Sequence, residues 1–225
     1  MQTLKRPEKA VLYVRPSRRK KRRRLKPPVF VLLIVLALLT ILGLCIGIHN
    51  AIAEKQPTEP AFPDEVYGVP VHTVLMPEEL EARTGIRRTI RYIVVHETGN
   101  TSVGADAKSH SDYLSGGKGG ETSWHYTVDD HQIYQHLPDN EEAWHSGDRE
   151  GNHSSISIEL CVNADGNFDQ TMENAAKLTA FLLKEYDLTI DDVKQHYDFN
   201  GKDCPLIIRQ EGRWDEFLGM VQQNL

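Results

Sequence analysis

The chain has 225 residues, of which 40% are hydrophobic and 26% charged, and its net charge is −6. This is ordinary globular composition, sufficient for one domain with its own hydrophobic core. The charge is unevenly divided, because residues 1–26 carry a net charge of +11 and the rest of the chain carries −17. Such a division indicates that the two parts meet different surroundings. The three cysteines are too few for a disulfide framework.

An apolar run near the N-terminus predicts a transmembrane anchor. Residues 29–48 read VFVLLIVLALLTILGLCIGI and contain no charged residue. A helix of this length spans about 30 Å, the hydrocarbon thickness of a bilayer. A buried core helix is a poorer interpretation, because the run has no polar face. A cleaved signal peptide is the closer alternative, with residues 51–53 as a weak cleavage site, but its apolar region normally has only about 7–15 residues.

The basic residues before the apolar run predict the orientation of the chain. They place residues 1–28 in the cytoplasm and everything after residue 48 outside the cell, as a single-pass protein of the cell membrane. The basic segment could instead bind nucleic acid, but its position beside the span favours anionic membrane lipids as its partner. Residues 49–74 are rich in proline and acids and predict an extended extracellular linker. Residues 75–225 then form the outer domain.

Strand and helix patterns alternate along the outer domain. Residues 89–96 (TIRYIVVH) are β-branched and aromatic, as in a buried strand, and residues 155–161 (SISIELC) alternate apolar and polar side chains. Residues 169–186 show the i, i+3, i+4, i+7 apolar spacing of an amphipathic helix. The other predictions are a helix start at residues 77–80, helices at residues 106–114 and 213–222, and a hairpin of strands at residues 123–128 and 132–137. These elements predict an α/β fold with a single mixed central sheet flanked by helices.

Three residues of the outer domain are candidate metal ligands. His196 and Cys204 lie eight positions apart across a glycine-containing loop, and imidazole and thiolate are both good zinc ligands. His96 ends a predicted strand beside a loop, although a lone histidine is more often structural. Three protein ligands would leave the fourth tetrahedral position of a zinc ion to water, as in catalytic sites. A disulfide between Cys161 and Cys204 is the alternative, and it would remove the third ligand.

Six short motifs occur in order along the outer domain: YIVVHETGN, SWHYTVDD, IYQHLP, AWHSGD, SISIELC and HYDFNGKDCP. Each motif is weak alone, but together they resemble the zinc-dependent N-acetylmuramoyl-L-alanine amidases of the phage-lysozyme and peptidoglycan-recognition type. The resemblance covers roughly residues 75–221, which is nearly all of the outer domain.

The resemblance implies a role for each residue that matches a family position. His96, His196 and Cys204 become the ligands of Zn²⁺, Glu159 the catalytic acid/base, and Lys202 the residue that steadies the developing oxyanion. Each role suits amide hydrolysis, which needs an electrophile, an activated water and a proton for the leaving amine. Without the resemblance, Glu159 could be a solvent-facing strand carboxylate and Lys202 a solvated loop lysine.

Other positions concern substrate contact and departures from the family pattern. His145, in the AWHSGD motif, matches a histidine that lines the cleft and is therefore a predicted substrate-binding residue. Trp124 stands where some members have a catalytic tyrosine, so we expect that role to be absent and the indole to pack against the sugar or the peptide. Glu97 stands where a smaller polar residue is expected.

The resulting expectation is hydrolysis of the amide between the lactyl group of N-acetylmuramic acid and L-alanine in bacterial peptidoglycan. Two other functions remain open at this point. The domain could be a peptidoglycan-binding module without activity, although Glu159, Lys202 and Cys204 are all present. It could also be a zinc hydrolase that cuts another amide of the stem peptide.

Overall fold

A computed structural model describes residues 31–32, 34–44 and 62–225 of the chain. The chain divides into two compact units, residues 1–60 and residues 61–225. The described residues of the first unit are helical, and their side chains are exposed.

The predicted anchor at residues 29–48 lies partly outside the described residues, and the predicted basic segment at residues 1–28 lies wholly outside them. In the part of the chain that the structure describes, no helix is both long enough and apolar enough to cross a membrane. The membrane anchor therefore stays a prediction from the sequence.

The second unit is built on a single mixed sheet. Its strands within the described residues are β1 (Glu65–Val66), β2 (Val69–Thr73), β3 (Tyr92–Glu97), β4 (Tyr126–Val128), β5 (Ile133–Gln135), β6 (Ser155–Leu160) and β7 (Val193–Gln195). Their spatial order is β1-β2-β5-β4-β6-β3-β7. Neighbouring strands are parallel except for the pairs β1 with β2 and β4 with β5. The predicted mixed sheet is confirmed, and the antiparallel pair β4 and β5 is the predicted hairpin.

Six helices of the second unit are described: α1 (Ala107–Ser115), α2 (Arg149–Ser154), α3 (Phe168–Glu185), α4 (Tyr197–Asn200), α5 (Leu206–Gln210) and α6 (Trp214–Asn224). A short 3-10 helix, Ile190–Asp192, precedes β7. Side-chain caps set where the longer helices begin. Asp106 accepts the N–H of Ser109 at the start of α1, and Asn167 accepts the N–H of Gln170 at the start of α3.

The two faces of β6 divide the domain into a core side and a site side. Side chains alternate along a strand, so Ile156, Ile158 and Leu160 share one face. That face belongs to the main hydrophobic core together with apolar residues of α3 and α6. Burial of these side chains contributes about 1.5–3 kcal/mol for each large residue. The opposite face carries Ser157 and Glu159, and it turns toward the candidate site.

Two local predictions differ from the structure. The predicted linker extends to residue 74, but β1 and β2 lie within it, and β2 pairs with β5 in the sheet. Phe62 also belongs to this domain, because its ring lies 5.2 Å from that of Tyr126 and 5.3 Å from that of Phe181. The predicted helix start at residues 77–80 is wrong, since this segment forms a turn.

Because β2 pairs within the sheet, we predict that the folded domain begins before residue 75. A chain that starts at residue 75 loses the buried Val66, Val69 and Val71 and exposes β5 as a sheet edge. Each buried valine contributes about 1.5–3 kcal/mol. We expect this chain to unfold at a clearly lower temperature than one that starts at residue 61, as measured by thermal circular dichroism. Equal unfolding temperatures would contradict the assignment of β1 and β2 to the domain.

Candidate active site

The site lies in one row across neighbouring parallel strands. His96 of β3 is paired in register with Glu159 of β6, which is paired in register with Thr127 of β4. Residues in register on parallel strands point to the same face, so these three side chains are lateral neighbours. His196 follows β7, and its N–H donates to the carbonyl of Val95 at 3.3 Å. The sheet thus brings residues from distant parts of the sequence to the carboxyl ends of its central strands.

His96, His196 and Cys204 meet in a buried cluster. Their possible ligand atoms lie within 4.8 Å of one another. The sulfur of Cys204 is 3.8 Å from Nδ1 of His96. Nδ1 of His196 is buried and has no hydrogen-bond partner among the described residues. Two imidazole nitrogens and a thiol around one point, one nitrogen without a partner, form a donor set that fits zinc.

Both histidines of the cluster are held through their other ring nitrogen. Nε2 of His96 is 2.9 Å from Nδ1 of His145, and Nε2 of His196 is 3.0 Å from the carbonyl oxygen of Ser146. Burial lowers the pKa of His96, and the neighbouring His145 and His196 lower it further. Burial also lowers the pKa of His196. Both rings are therefore neutral at pH 7, which is the protonation state of a metal ligand.

Cys204 is a free thiol in this arrangement, and so is Cys161. Cys161 follows β6 and contacts another histidine, since its sulfur is 3.9 Å from Nδ1 of His110. The alternative disulfide is therefore not formed. Burial, followed by the nearby Glu159, raises the pKa of Cys204 to about 12. The thiol keeps its proton until a cation replaces it, so metal binding at this cluster must release a proton.

Glu159 lies beside the cluster with an unpaired carboxylate oxygen. Oε1 is 3.9 Å from Nδ1 of His96, and Oε2 is buried without a hydrogen-bond partner in the described chain. Burial raises the pKa of Glu159 to about 7, and the positive charge of Lys202 opposes this shift. A carboxyl group with a pKa near the working pH can both take and return a proton.

Lys202 supplies a positive charge at the mouth of the cluster. It precedes Cys204 by two residues on an exposed loop, where its N–H donates to Oδ1 of Asn200 at 2.9 Å. Its charge lowers the pKa of Glu159 and that of His196. The ammonium group is therefore close enough to act electrostatically on the site while it remains in contact with solvent.

The structure gives different surroundings to the two predicted substrate-binding residues. The indole N–H of Trp124 donates to Oγ1 of Thr127 at 2.7 Å, and the half-buried ring packs against a small apolar cluster that contains Leu114. His145 does not present a free ring nitrogen to the cleft. Its Nδ1 contacts His96, and its Nε2 is 3.1 Å from Oγ of Ser155. The position of His145 therefore supports a role behind the ligand and not the predicted contact with substrate.

Glu97 is a site residue whose role the sequence did not reveal. Its buried carboxylate accepts the N–H of Ile207 at 2.8 Å and that of Ile208 at 3.0 Å, in the first turn of α5. The backbone N–H of Glu97 also lowers the pKa of the Cys204 thiol, against the larger effect of burial. Glu97 thus ties the strand that carries His96 to the segment that carries Cys204. In the sequence, the feature that could have indicated this role is the position of Glu97 beside a predicted ligand, where a smaller polar residue was expected.

The clamp made by Glu97 predicts a loss of stability on its removal. Glu97→Ala leaves two N–H groups of α5 without an acceptor, that of Ile208 buried and that of Ile207 partly buried, and an unsatisfied buried group costs about 1–3 kcal/mol. We expect the free energy of unfolding to fall by about 2 kcal/mol or more, measured by urea denaturation. Glu121→Ala is the matched control, since Glu121 is exposed. A change within about 0.5 kcal/mol for Glu97→Ala, as for an ordinary surface site, would show that the clamp is unimportant.

The raised pKa of Glu159 predicts a pH dependence of stability in protein treated with a chelator. The folded state holds this proton up to about pH 7, whereas the usual pKa of the group is 4.5. Between these values the folded state binds more protons, so Glu159 makes the free energy of unfolding decrease as pH rises. Glu159→Gln should therefore stabilise the chelated protein more at about pH 8 than at about pH 5. Equal effects in urea denaturation at both pH values would refute the raised pKa.

Comparison with known proteins places this site in a family. The sequence profile of the family described as N-acetylmuramoyl-L-alanine amidase matches residues 86–206, more than half of the chain. N-acetylmuramoyl-L-alanine amidase XlyA of Bacillus subtilis (strain 168) is 47% identical over 137 residues, which cover 60% of this chain and 45% of XlyA. N-acetylmuramoyl-L-alanine amidase CwlH of the same organism is 41% identical over 152 residues, which cover 66% of this chain and 60% of CwlH. The chain thus spans about half the length of the curated relatives it matches.

A solved structure gives the same result for the fold. The catalytic domain of XlyA superposes with a TM-score of 0.65 at 42% sequence identity, and the match covers 68% of this chain and 99% of that domain. The resemblance seen in the six sequence motifs is therefore confirmed. By its match over more than half of its length, the chain belongs to the N-acetylmuramoyl-L-alanine amidase family.

Proposed function

We propose that this chain hydrolyses the amide between the lactyl group of N-acetylmuramic acid and L-alanine in bacterial peptidoglycan. The observation that carries the proposal is the buried cluster of His96, His196 and Cys204, with the unpaired carboxylate of Glu159 beside it. Membership of the amidase family supports the choice of bond, and the names of XlyA and CwlH state the same activity for those proteins.

His96, His196 and Cys204 would hold a zinc ion, which when bound polarises the amide carbonyl and lowers the pKa of water. Glu159 takes a proton from the attacking water at its unpaired Oε2 and returns it to the nitrogen of the leaving L-alanine. Lys202 stabilises the negative charge that develops on the carbonyl oxygen. The nearly buried position of Glu159 keeps competing water away from its carboxylate, because its side chain is only 15% exposed.

Trp124 would contact the substrate through its ring. The indole N–H is engaged with Thr127, and the inner part of the ring packs against Leu114 and its neighbours. These contacts hold the ring in one orientation, so its exposed part offers a fixed apolar surface for a sugar or a peptide. Direct contact between Trp124 and substrate accounts for an aromatic residue at this half-exposed position.

We also propose that residues 29–48 anchor the chain in the cell membrane, with residues 1–28 in the cytoplasm beside anionic lipids. The uncharged apolar run and the basic segment before it support this arrangement. The catalytic domain would then lie outside the cell, next to the wall polymer that it cuts. A reporter fused after residue 225 should be active outside the cell, and a reporter found in the cytoplasm would reject this topology.

Digestion of purified peptidoglycan tests the proposed reaction. We expect zinc-loaded protein to release peptides with a new L-alanine amino terminus and a chelator to abolish the release. A new terminus at another residue would indicate cleavage of a different amide of the stem peptide. Zinc-bound protein that binds the wall and releases no amine would indicate a binding module and would refute the proposed hydrolysis.

Substitution of Glu159 tests its assignment as the acid/base. We expect Glu159→Gln to lower kcat by about 10²–10⁴-fold, the usual contribution of a general acid–base group, while zinc remains bound. Glu121→Gln, at an exposed position, is the matched control and should keep full activity. Full activity of Glu159→Gln in the same peptidoglycan assay would show that another group moves the proton.

A further inference from the structure

His145 and Ser146 are consecutive residues that contact both histidines of the cluster from behind. Nδ1 of His145 is 2.9 Å from Nε2 of His96, and the two rings meet edge to face with centroids 4.9 Å apart. The carbonyl oxygen of Ser146 is 3.0 Å from Nε2 of His196. In both cases Nε2 faces away from the cluster, so Nδ1 is the nitrogen left to face it.

A chain of hydrogen bonds runs from Gly151 through Ser155 and His145 to His96, and the positions of its protons can be assigned from the Gly151 end. Oγ of Ser155 donates its single proton to the carbonyl oxygen of Gly151 at 2.6 Å. The same Oγ must therefore accept from Nε2 of His145, 3.1 Å away. A neutral imidazole carries one proton, so in the neutral ring of His145 that proton lies on Nε2.

The proton position in His145 determines the proton position in His96. Because Nε2 of His145 carries the proton, its Nδ1 has only a lone pair and must accept from Nε2 of His96. In the neutral ring of His96 this is the only proton, so Nδ1 keeps a lone pair, and that atom lies 3.8 Å from the sulfur of Cys204. The chain of hydrogen bonds selects the one neutral tautomer of His96 that can bind a metal through Nδ1.

A single hydrogen bond fixes the tautomer of His196 in the same form. Nε2 of His196 lies 3.0 Å from the carbonyl oxygen of Ser146 and 3.1 Å from Nδ2 of Asn200. A backbone carbonyl can only accept, and Nδ2 of Asn200 donates to the same carbonyl, so Nε2 of His196 donates to Ser146. Its Nδ1 then has a lone pair, and it is buried without a partner within the described part of the chain. The adjacent residues His145 and Ser146 thus fix the tautomers of His96 and His196, which are 100 positions apart in the sequence.

Asn152 of α2 holds this pair of residues in place. Its Oδ1 accepts the N–H of His145 at 3.0 Å and, at 2.9 Å each, the N–H and the hydroxyl of Ser146. Gly151 allows the close approach, since a Cβ there would lie 2.4 Å from Oγ of Ser146. The segment is therefore held by contacts within the chain.

We propose that His145 is a positioning residue that fixes the tautomer of His96, so that the pair His145 and Ser146 presents both histidines to zinc through Nδ1. This inference rests on the zinc site of the proposed function and is independent of which bond the enzyme cuts. It replaces substrate contact as the role of His145. Partners that orient a metal-bound histidine in this way commonly contribute 10–100-fold to metal affinity, as an order of magnitude.

Zinc competition with a chromophoric chelator, on the full chain, tests the proposal. His145→Leu removes the acceptor for Nε2 of His96, and we expect it to raise the dissociation constant for Zn²⁺ by roughly 10–100-fold. His145→Asn places an amide oxygen at the branch position of Nδ1 and should restore most of the affinity. His131→Leu, at an exposed histidine, is the control and should bind zinc as the parent does. Parent-like affinity for His145→Leu, or no recovery with His145→Asn, would overturn the proposal.

A second measurement uses the chain without substitutions, so its result does not depend on whether a variant folds. Nitrogen-15 chemical shifts of the histidine rings, recorded after zinc is removed, distinguish the two neutral tautomers. We expect His96, His145 and His196 each to carry a proton on Nε2 and none on Nδ1. A proton on Nδ1 of His96 would overturn the proposal. Because this measurement involves neither substrate nor zinc, failure of the proposed hydrolysis would leave its result unaffected.

Discussion

The site depends on holding three metal-binding atoms together inside the protein with no charge of their own to attract one another. Buried polar groups are costly unless their other hydrogen-bonding positions are satisfied. His145 and Ser146 satisfy the outer nitrogens of the two histidines, and the nearby backbone N–H of Glu97 favours the thiolate of Cys204. Much of the surrounding structure can be understood as support for these three contacts.

Strand pairing in the central sheet places the residues of the site next to one another. In-register pairing of β3 with β6 places His96 beside Glu159, and pairing of β3 with β7 brings His196 to the same end of the sheet. β5 and β6 are not neighbours, because β4 lies between them in the sheet. A tight turn therefore does not join them, and the longer segment between them contains His145, Ser146 and α2. This connection positions both histidines.

The sequence predicted the elements whose pattern is long enough to be read locally. β3, β6 and α3 have six, six and 18 residues; β3 is a continuous run of β-branched and aromatic residues, and the other two show apolar periodicity. The sequence pattern did not predict β1, β2, β7, α2, α4 and α5, because each has only two to six residues and depends on distant partners. β2, for example, is a strand because it pairs with β5, about 60 residues further along the chain. The prolines and acids of residues 49–74, read alone, are typical of a linker.

The candidate site shows the same division. The order of the motifs was sufficient to select His96, His196, Cys204, Glu159 and Lys202, and the structure brings them together. The roles of Glu97 and His145 could not be predicted, since their partners lie 110 and 49 residues away. Residue type alone cannot show whether a histidine faces a substrate or another histidine, because that depends on where the two backbones cross.

Seven buried side-chain polar atoms have no hydrogen-bond partner among the described residues, and two of them, Nδ1 of His196 and Oε2 of Glu159, lie at the candidate site. Each such atom costs about 1–3 kcal/mol. Both lie at the one place where the proposed reaction needs a vacant lone pair, one for zinc and one for a proton. The supporting network holds them there, and a cation at the centre would engage the nitrogen and favour the charged carboxylate. Zinc would therefore stabilise the folded chain as well as supply its chemistry, because it binds only where the fold has brought the three ligands together.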